Sequence, residues 1–141
     1  MRYLTVLFLL VLVSTSCQPS KKVDEEKVVS LKALKDEVFE LHDEVMPMMG
    51  DLRRVRKSLM LQVDSIQEIN AEKGATLTGV ADELNAANEG MMVWMRNFDP
   101  NFDGSDEEVL KYLTAQKSSI EEVNRNMKET LKKGQELLDS N

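Results

Sequence analysis

From Leu31 onward, apolar side chains recur at Leu31, Leu34, Val38, Leu41, Val45, Met48, Leu52, Val55 and Leu59, then at Ile66 and Ile69. The steps alternate between three and four residues, and only Gln62 breaks the rule. A mean spacing of ~3.5 residues returns one edge of a helix to the same direction turn after turn. Such a stripe has to be covered along its whole length. The segment from about 26 to 72 is therefore expected to be helical and to lie lengthwise against other helices.

Pro47 stands inside this run, with Gly50 after it. Proline lacks the amide that would bond the carbonyl of Asp43, and its ring crowds that turn. Two arrangements follow. If the helix kinks and continues, the chain forms a three-helix bundle whose first rod is ~70 Å long at ~1.5 Å per residue. If the chain turns back near Met48, it forms an up-down-up-down four-helix bundle. The apolar phase carries across Pro47, which favours the kink.

The stretch NAEKGATLTG, residues 70–79, loses the pattern and is read as the hairpin, with Thr76 or Thr78 as the next N-cap. A second helix is expected over about 78–98, with Leu77, Ala81, Leu84, Met91, Met95 and Phe98 on one stripe and Val80, Ala87 and Trp94 beside it. DPNFDGS, residues 99–105, is a loop, and Ser105 with Glu108 forms an S-x-x-E capping box for the last helix. That helix runs to about Leu138 through Leu110, Leu113, Ile120, Val123, Met127 and Leu131, with Lys117, Asn124 and Gly134 intruding on its seam. The fold class is all-α, an antiparallel helical bundle, in a single domain over 26–141. Folding back at Gly74 brings the segment from Met91 to Phe98 near Pro47.

The chain opens MRYLTVLFLLVLVSTSC, with Arg2 as a basic start, eleven mostly apolar residues from Tyr3 to Val13, then Ser14, Thr15 and Ser16 before Cys17. The apolar run is too short to span a bilayer, which needs ~20 helical residues, and reads as a secretory signal over 1–16. Cys17 is the only cysteine, so no intramolecular disulfide forms. The leader resembles a bacterial lipoprotein lipobox, with Ser14 standing where that pattern usually has an aliphatic residue. The resemblance implies cleavage before Cys17, a thioether-linked diacylglycerol on it, and an N-terminal lipid anchor in the membrane. The alternative is an ordinary secretory signal followed by a free thiol. In enterobacterial lipoproteins aspartate after the cysteine goes with inner-membrane retention, so Gln18 here makes the resemblance imply the outer membrane of the cell envelope. Residues 17–25, the lipidated cysteine and the polar, proline-containing stretch after it, are read as a tether.

Losing Arg2 with the leader leaves 17 basic against 25 acidic side chains, a net of −8. That balance argues against nucleic acid as a partner. An enzyme finds no support either: there is one histidine, no glycine-rich phosphate loop, and the single cysteine is assigned to lipid.

HDEVMPMMG, residues 42–50, holds that histidine and three of the nine methionines. His42, Met46 and Met49 fall on one helix face, Phe39 extends it, and Met91, Met92, Trp94 and Met95 are expected across the hairpin. Imidazole with thioethers suits Cu(I) or Ag(I), so His42, Met46, Met49, Met91, Met95 and Trp94 form a candidate soft-metal site. The set is similar to the His/Met/Trp combination of periplasmic cuprous-ion chaperones, which have another fold. Against it stands the use of methionine as an unbranched filler of irregular core space or as an adaptable partner groove. Histidine–methionine haem ligation in a four-helix bundle is a further alternative, with no C-x-x-C-H to support it. Asp99, Asn101 and Asp103 before Gly104 match the first half of a calcium loop, but Leu110 occupies the place of its bidentate glutamate. The plainer reading is that these acids cap a helix. Arg53, Arg54, Arg56 and Lys57 form the one dense basic cluster, read as a solvated, ion-paired face or a docking patch for an acidic group.

HDEVMPMMG, MMVWMRNFD at 91–99 and YLTAQK at 112–117 together resemble small helical lipoproteins of Bacteroidota, some of which carry the name viral A-type inclusion protein through loose coiled-coil similarity. The resemblance implies an envelope lipoprotein and brings no activity with it. The sequence reading is thus a non-enzymatic, lipid-anchored structural or interaction module, its partner an unidentified envelope protein or a second copy, with a soft-metal carrier as the alternative.

Overall fold

The computed structural model describes residues 20–66 and 68–140. The signal segment 1–16, Cys17 and the start of the tether lie outside the described residues. Four helical segments follow in order: α1 over Ser20–Val45, α2 over Met48–Ile66, α3 over Ala71–Asn97 and α4 over Asp106–Asp139. The chain is helical from Ser20, so helix reaches into the stretch read as a tether. None of the described helices is long and apolar enough to cross a membrane.

α1 and α2 are two halves of one bent rod. Along α4 the cross-helix contacts climb in step: Lys117 donates to Glu37 at 2.6 Å, Asn124 donates to Glu44 at 2.7 Å, and the backbone of Gly134 lies against Val55 and Leu84. Both halves therefore run parallel to α4. α3 returns antiparallel, with Asn88 accepting from Arg53 and Glu83 pairing with Lys133. Of the two arrangements open to the sequence, the three-helix bundle with a bent first member is the one formed, and the four-helix arrangement is not. Pro47 directly precedes α2, where a missing amide does least harm. The bend is closed by three-residue hydrogen bonds from the Met49 amide to the Met46 carbonyl and from the Gly50 amide to the Pro47 carbonyl, each at 3.3 Å.

The hairpin between α2 and α3 sits earlier than the lost apolar pattern indicates. α2 ends at Ile66, and Asn70 is the N-cap, its side chain accepting the Lys73 amide at 3.0 Å. Ala71, Glu72 and Lys73 are helix formers, and one capped turn is enough to start α3 there. Thr76 and Thr78 are helical, returning their hydroxyls to the carbonyls of Glu72 and Gly74. Ile69, expected on the seam, is exposed in the turn, and Val63 rather than a residue at Gln62 continues the buried stripe. The capping box at α4 forms as the sequence indicates, with the Ser105 side chain taking the Glu108 amide and Glu108 taking the Ser105 amide. The Ser105 hydroxyl also donates to the Glu108 carboxylate at 2.7 Å, and this bond, followed by the one from the Ser105 amide, holds the Glu108 carboxyl below the usual carboxylate range.

The core is continuous but uneven. Leu52, Leu59, Leu77 and Leu84 are fully buried where α2, α3 and α4 meet, with Val55, Val63 and Leu131 beside them. Gly134 admits the close approach there: a Cβ at that position would stand 2.7 Å from Val55 Cγ1. Beyond the bend, Val38, Val45, Ile120 and Met127 continue the core between α1 and α4.

Candidate functional site

Beyond the leader the chain has five aromatic side chains, Phe39, Trp94, Phe98, Phe102 and Tyr112, and they gather in one place. Trp94 and Phe98 are one turn apart on α3 and stack at 4.8 Å. Phe98 stacks on Tyr112 of α4 at 6.3 Å, and Tyr112 stacks on Phe102 of the α3–α4 loop at 4.2 Å. Phe39 of α1 meets Phe98 edge-on at 5.5 Å, and the His42 ring lies 5.8 Å from Trp94. Six rings thus form a branched ladder joining α1, α3, the loop and α4. Each such pair adds ~0.5–1.5 kcal/mol beyond the area it buries. α1 packs along α4 and reaches α3 through these rings.

The loop is tied to the same ladder. The Asp99 amide donates to the Tyr112 hydroxyl at 2.6 Å, and Lys35 of α1 donates to the Pro100 carbonyl. Behind the rings, α1 and α4 are joined by charge. Glu44 accepts from both Asn124 and Lys128, which lowers its pKa, the lysine bond contributing most. The bond to Glu37 raises that of Lys117. Apart from Asn124, which is buried, these groups face solvent, where an isolated pair contributes little, so the ion pairs set alignment more than stability.

The residues chosen from the sequence divide between two layers. Met49, Met91 and Trp94 belong to the buried core, and Met95 packs against it half-buried. His42 is half-buried, with Nδ1 2.8 Å from the Asp43 carboxylate, while Met46 and Met92 are exposed. The juxtaposition of His42 with Trp94 is therefore present, while two of the four thioethers, Met49 and Met91, are core. The Trp94 indole N–H is buried with no hydrogen-bond acceptor. Among the described residues, no group of three or more His, Cys, Asp or Glu side chains is arranged to hold a metal ion.

In the Asp99–Asp103 loop, the Asp99 carboxylate accepts the Asn101 amide at 2.9 Å, closing a local turn. Leu110 is exposed, and the nearest glutamate to it in the motif, Glu108, is occupied by the cap. In the basic cluster Arg54 pairs with Asp51 and Arg53 with Asn88, while Arg56 is half-buried, its Nε without an acceptor.

The sequence reading singled out Phe39 and Trp94 but missed the ladder as a whole. Its signal was there in part: Trp94, Phe98 and Phe102 are spaced by four, and every other ring beyond the leader lies on a helix that the topology brings beside them. No family model matches this chain, and no curated protein or solved structure does so either.

Proposed function

We propose that this protein is a lipid-anchored, non-enzymatic interaction module of the bacterial cell envelope, a helical bundle held by Cys17 and working by contact with another envelope protein. One observation carries the binding reading. Among the described residues, the exposed large apolar side chains are Val28, Val29 and Phe39 of α1, Met46 at the bend, Met92 and Val93 toward the end of α3, Phe102 of the α3–α4 loop and Leu110 early in α4, while Leu61 and Ile69 lie at the α2 end. Scattered apolar residues on a surface need no explanation, whereas a concentration on one half of a bundle marks a contact surface. The leader supports the anchor, and the outer membrane is its proposed site.

The test has two arms. Cys17→Ser is expected to release the protein from the membrane fraction, and a photoreactive residue at Val29 or Phe39 is expected to give a discrete adduct in cells that the same residue at Leu61 does not. Membrane retention of Cys17→Ser sinks the anchor; equal adducts at all three positions sink the module.

A second reading, soft-metal binding, is favoured by the His42–Trp94 contact, which sets a cation site against an indole face with Met46 one turn from the histidine. It predicts that the protein competes with a chromogenic cuprous chelator and that His42→Ala abolishes competition. A wild-type protein that does not compete disposes of it.

A further inference from the structure

We infer that the channel between α1 and α3 is a docking groove for one amphipathic helix whose apolar face is flanked by lysine or arginine, and that this partner helix completes the bundle on the α1 side as a fourth member. The inference names the partner of the module proposed above and rests on that reading.

The groove follows from how unequally the helices meet. α1 lies on α4 and α4 lies on α3, but α1 and α3 are joined through Phe39–Phe98 and His42–Trp94. Phe39 of α1, Met46 at the bend and Met92 of α3 are each 37% exposed. Phe39, His42 and Met46 sit at i, i+3 and i+7, a stripe about two turns long that matches the spacing of an incoming helix. Thioether and aromatic walls adapt to the partner's shape.

The rim selects the charge. Next to the apolar stripe on α1 runs a second stripe of Asp36, Glu40 and Asp43. Asp36 is paired only within its own helix, with Lys32, and Asp43 only with His42. Glu40 is exposed and makes no ion pair among the described residues. The α3 rim adds Glu89 and, nearer its end, Arg96. An acidic margin beside an apolar floor attracts a helix with basic flanks and repels one with acidic flanks. A second copy of this chain would bring its own acidic stripe into register with the first, and is disfavoured for that reason.

The test uses the purified protein and two fluorescein-labelled helical peptides of about four turns, with identical leucines at i, i+3, i+4 and i+7 and with flanks of lysine in one and glutamate in the other. The lysine peptide is expected to bind, to weaken severalfold when salt is raised to about 0.5 M, and to change the emission of Trp94 beneath the groove. Phe39→Ala is expected to weaken it about tenfold, as for an aromatic anchor. Glu40→Lys, which breaks no ion pair, is expected to weaken the lysine peptide and strengthen the glutamate one. Leu61→Asp, on exposed α2 surface away from the groove, is expected to leave both unchanged, and circular dichroism checks that every variant is folded. Equal affinity for the two peptides, binding by neither, or loss in Leu61→Asp equal to that in Phe39→Ala overturns the inference. So does a dimer in sedimentation that Phe39→Ala dissolves, which would give the groove to a second copy. Since the titration does not involve lipid, failure of the Cys17 anchor and failure of the groove are told apart.

Discussion

On one side of Pro47, α2 meets α3 and α4 through leucine and valine, packed so closely that the side chains of Val55 and Leu84 fill the space a Cβ at Gly134 would take. On the other side, α1 meets α4 through a thin row of apolar side chains bordered by Glu37–Lys117 and Glu44–Lys128, and meets α3 through rings. The same heptad seam runs through both halves. What differs is how many neighbours the seam has: two helices beyond the bend, and closer to one and a half before it. A periodic stripe specifies that a helix must be covered, but not by how much.

The comparison can be broken or sharpened by substitution. The largest effect is expected from Leu59→Ala, which empties a fully buried site among α2, α3 and α4; it should lower unfolding free energy by about 2–5 kcal/mol, measured by urea denaturation, and weaken the whole molecule. Phe98→Ala removes the ring that touches Phe39, Trp94 and Tyr112. Because Phe98 is only half-buried, a loss of about 2 kcal/mol is expected, with amide exchange accelerating in α1 and the α3–α4 loop before α2. If Phe98→Ala instead loosens α2 first, the two halves are not energetically distinct.

Gly134→Ala should destabilise by about 1 kcal/mol: alanine favours the helix by a similar amount, but overpacking against the stiff β-branched Val55 costs more. Gly79→Ala, on an exposed face of α3 with nothing within 4 Å of the new methyl, should do the opposite and stabilise by up to ~1 kcal/mol. Equal signs for the two glycines would remove close packing as the property of the α2 half.

The smallest effect is a pH response confined to the α1 half. The Glu44 pKa is lowered on folding, so its contribution is present above the unfolded carboxylate value and is lost as pH falls through the folded one. Lys117 is raised, so its contribution is complete below the unfolded lysine value and is lost as pH rises through the folded one. Amide protection factors in α1 should therefore fall at the acid end, and Glu44→Gln should flatten that fall while leaving α2 unaffected.

Much of this architecture was legible in the amino-acid order. The seam, the kink at Pro47 and the Ser105–Glu108 box each rest on local rules that tertiary packing did not override. The start of α3 was not legible, because the pattern fades at residues 70–79 for lack of large apolar side chains, while the backbone needs only the Asn70 cap to begin a helix. The three residues that intrude on the last seam prove informative instead: Lys117 and Asn124 answer glutamates of α1, and Gly134 leaves room for Val55 and Leu84. For the candidate site, His42 beside Trp94 was foreseeable from the hairpin. Which methionines turn inward was not, since neighbouring thioethers such as Met91 and Met92 differ only in angular position about the axis.

Because α1 and α4 point the same way, the start of α1 and the end of α4 lie at opposite tips of the bundle. The last helix alone has 34 residues, ~50 Å of rise, so a contact made at the start of α1 holds the far end of α4 well away from it, as a mast does its flag. A label at Asp139, the last residue of α4, would read out that standoff directly.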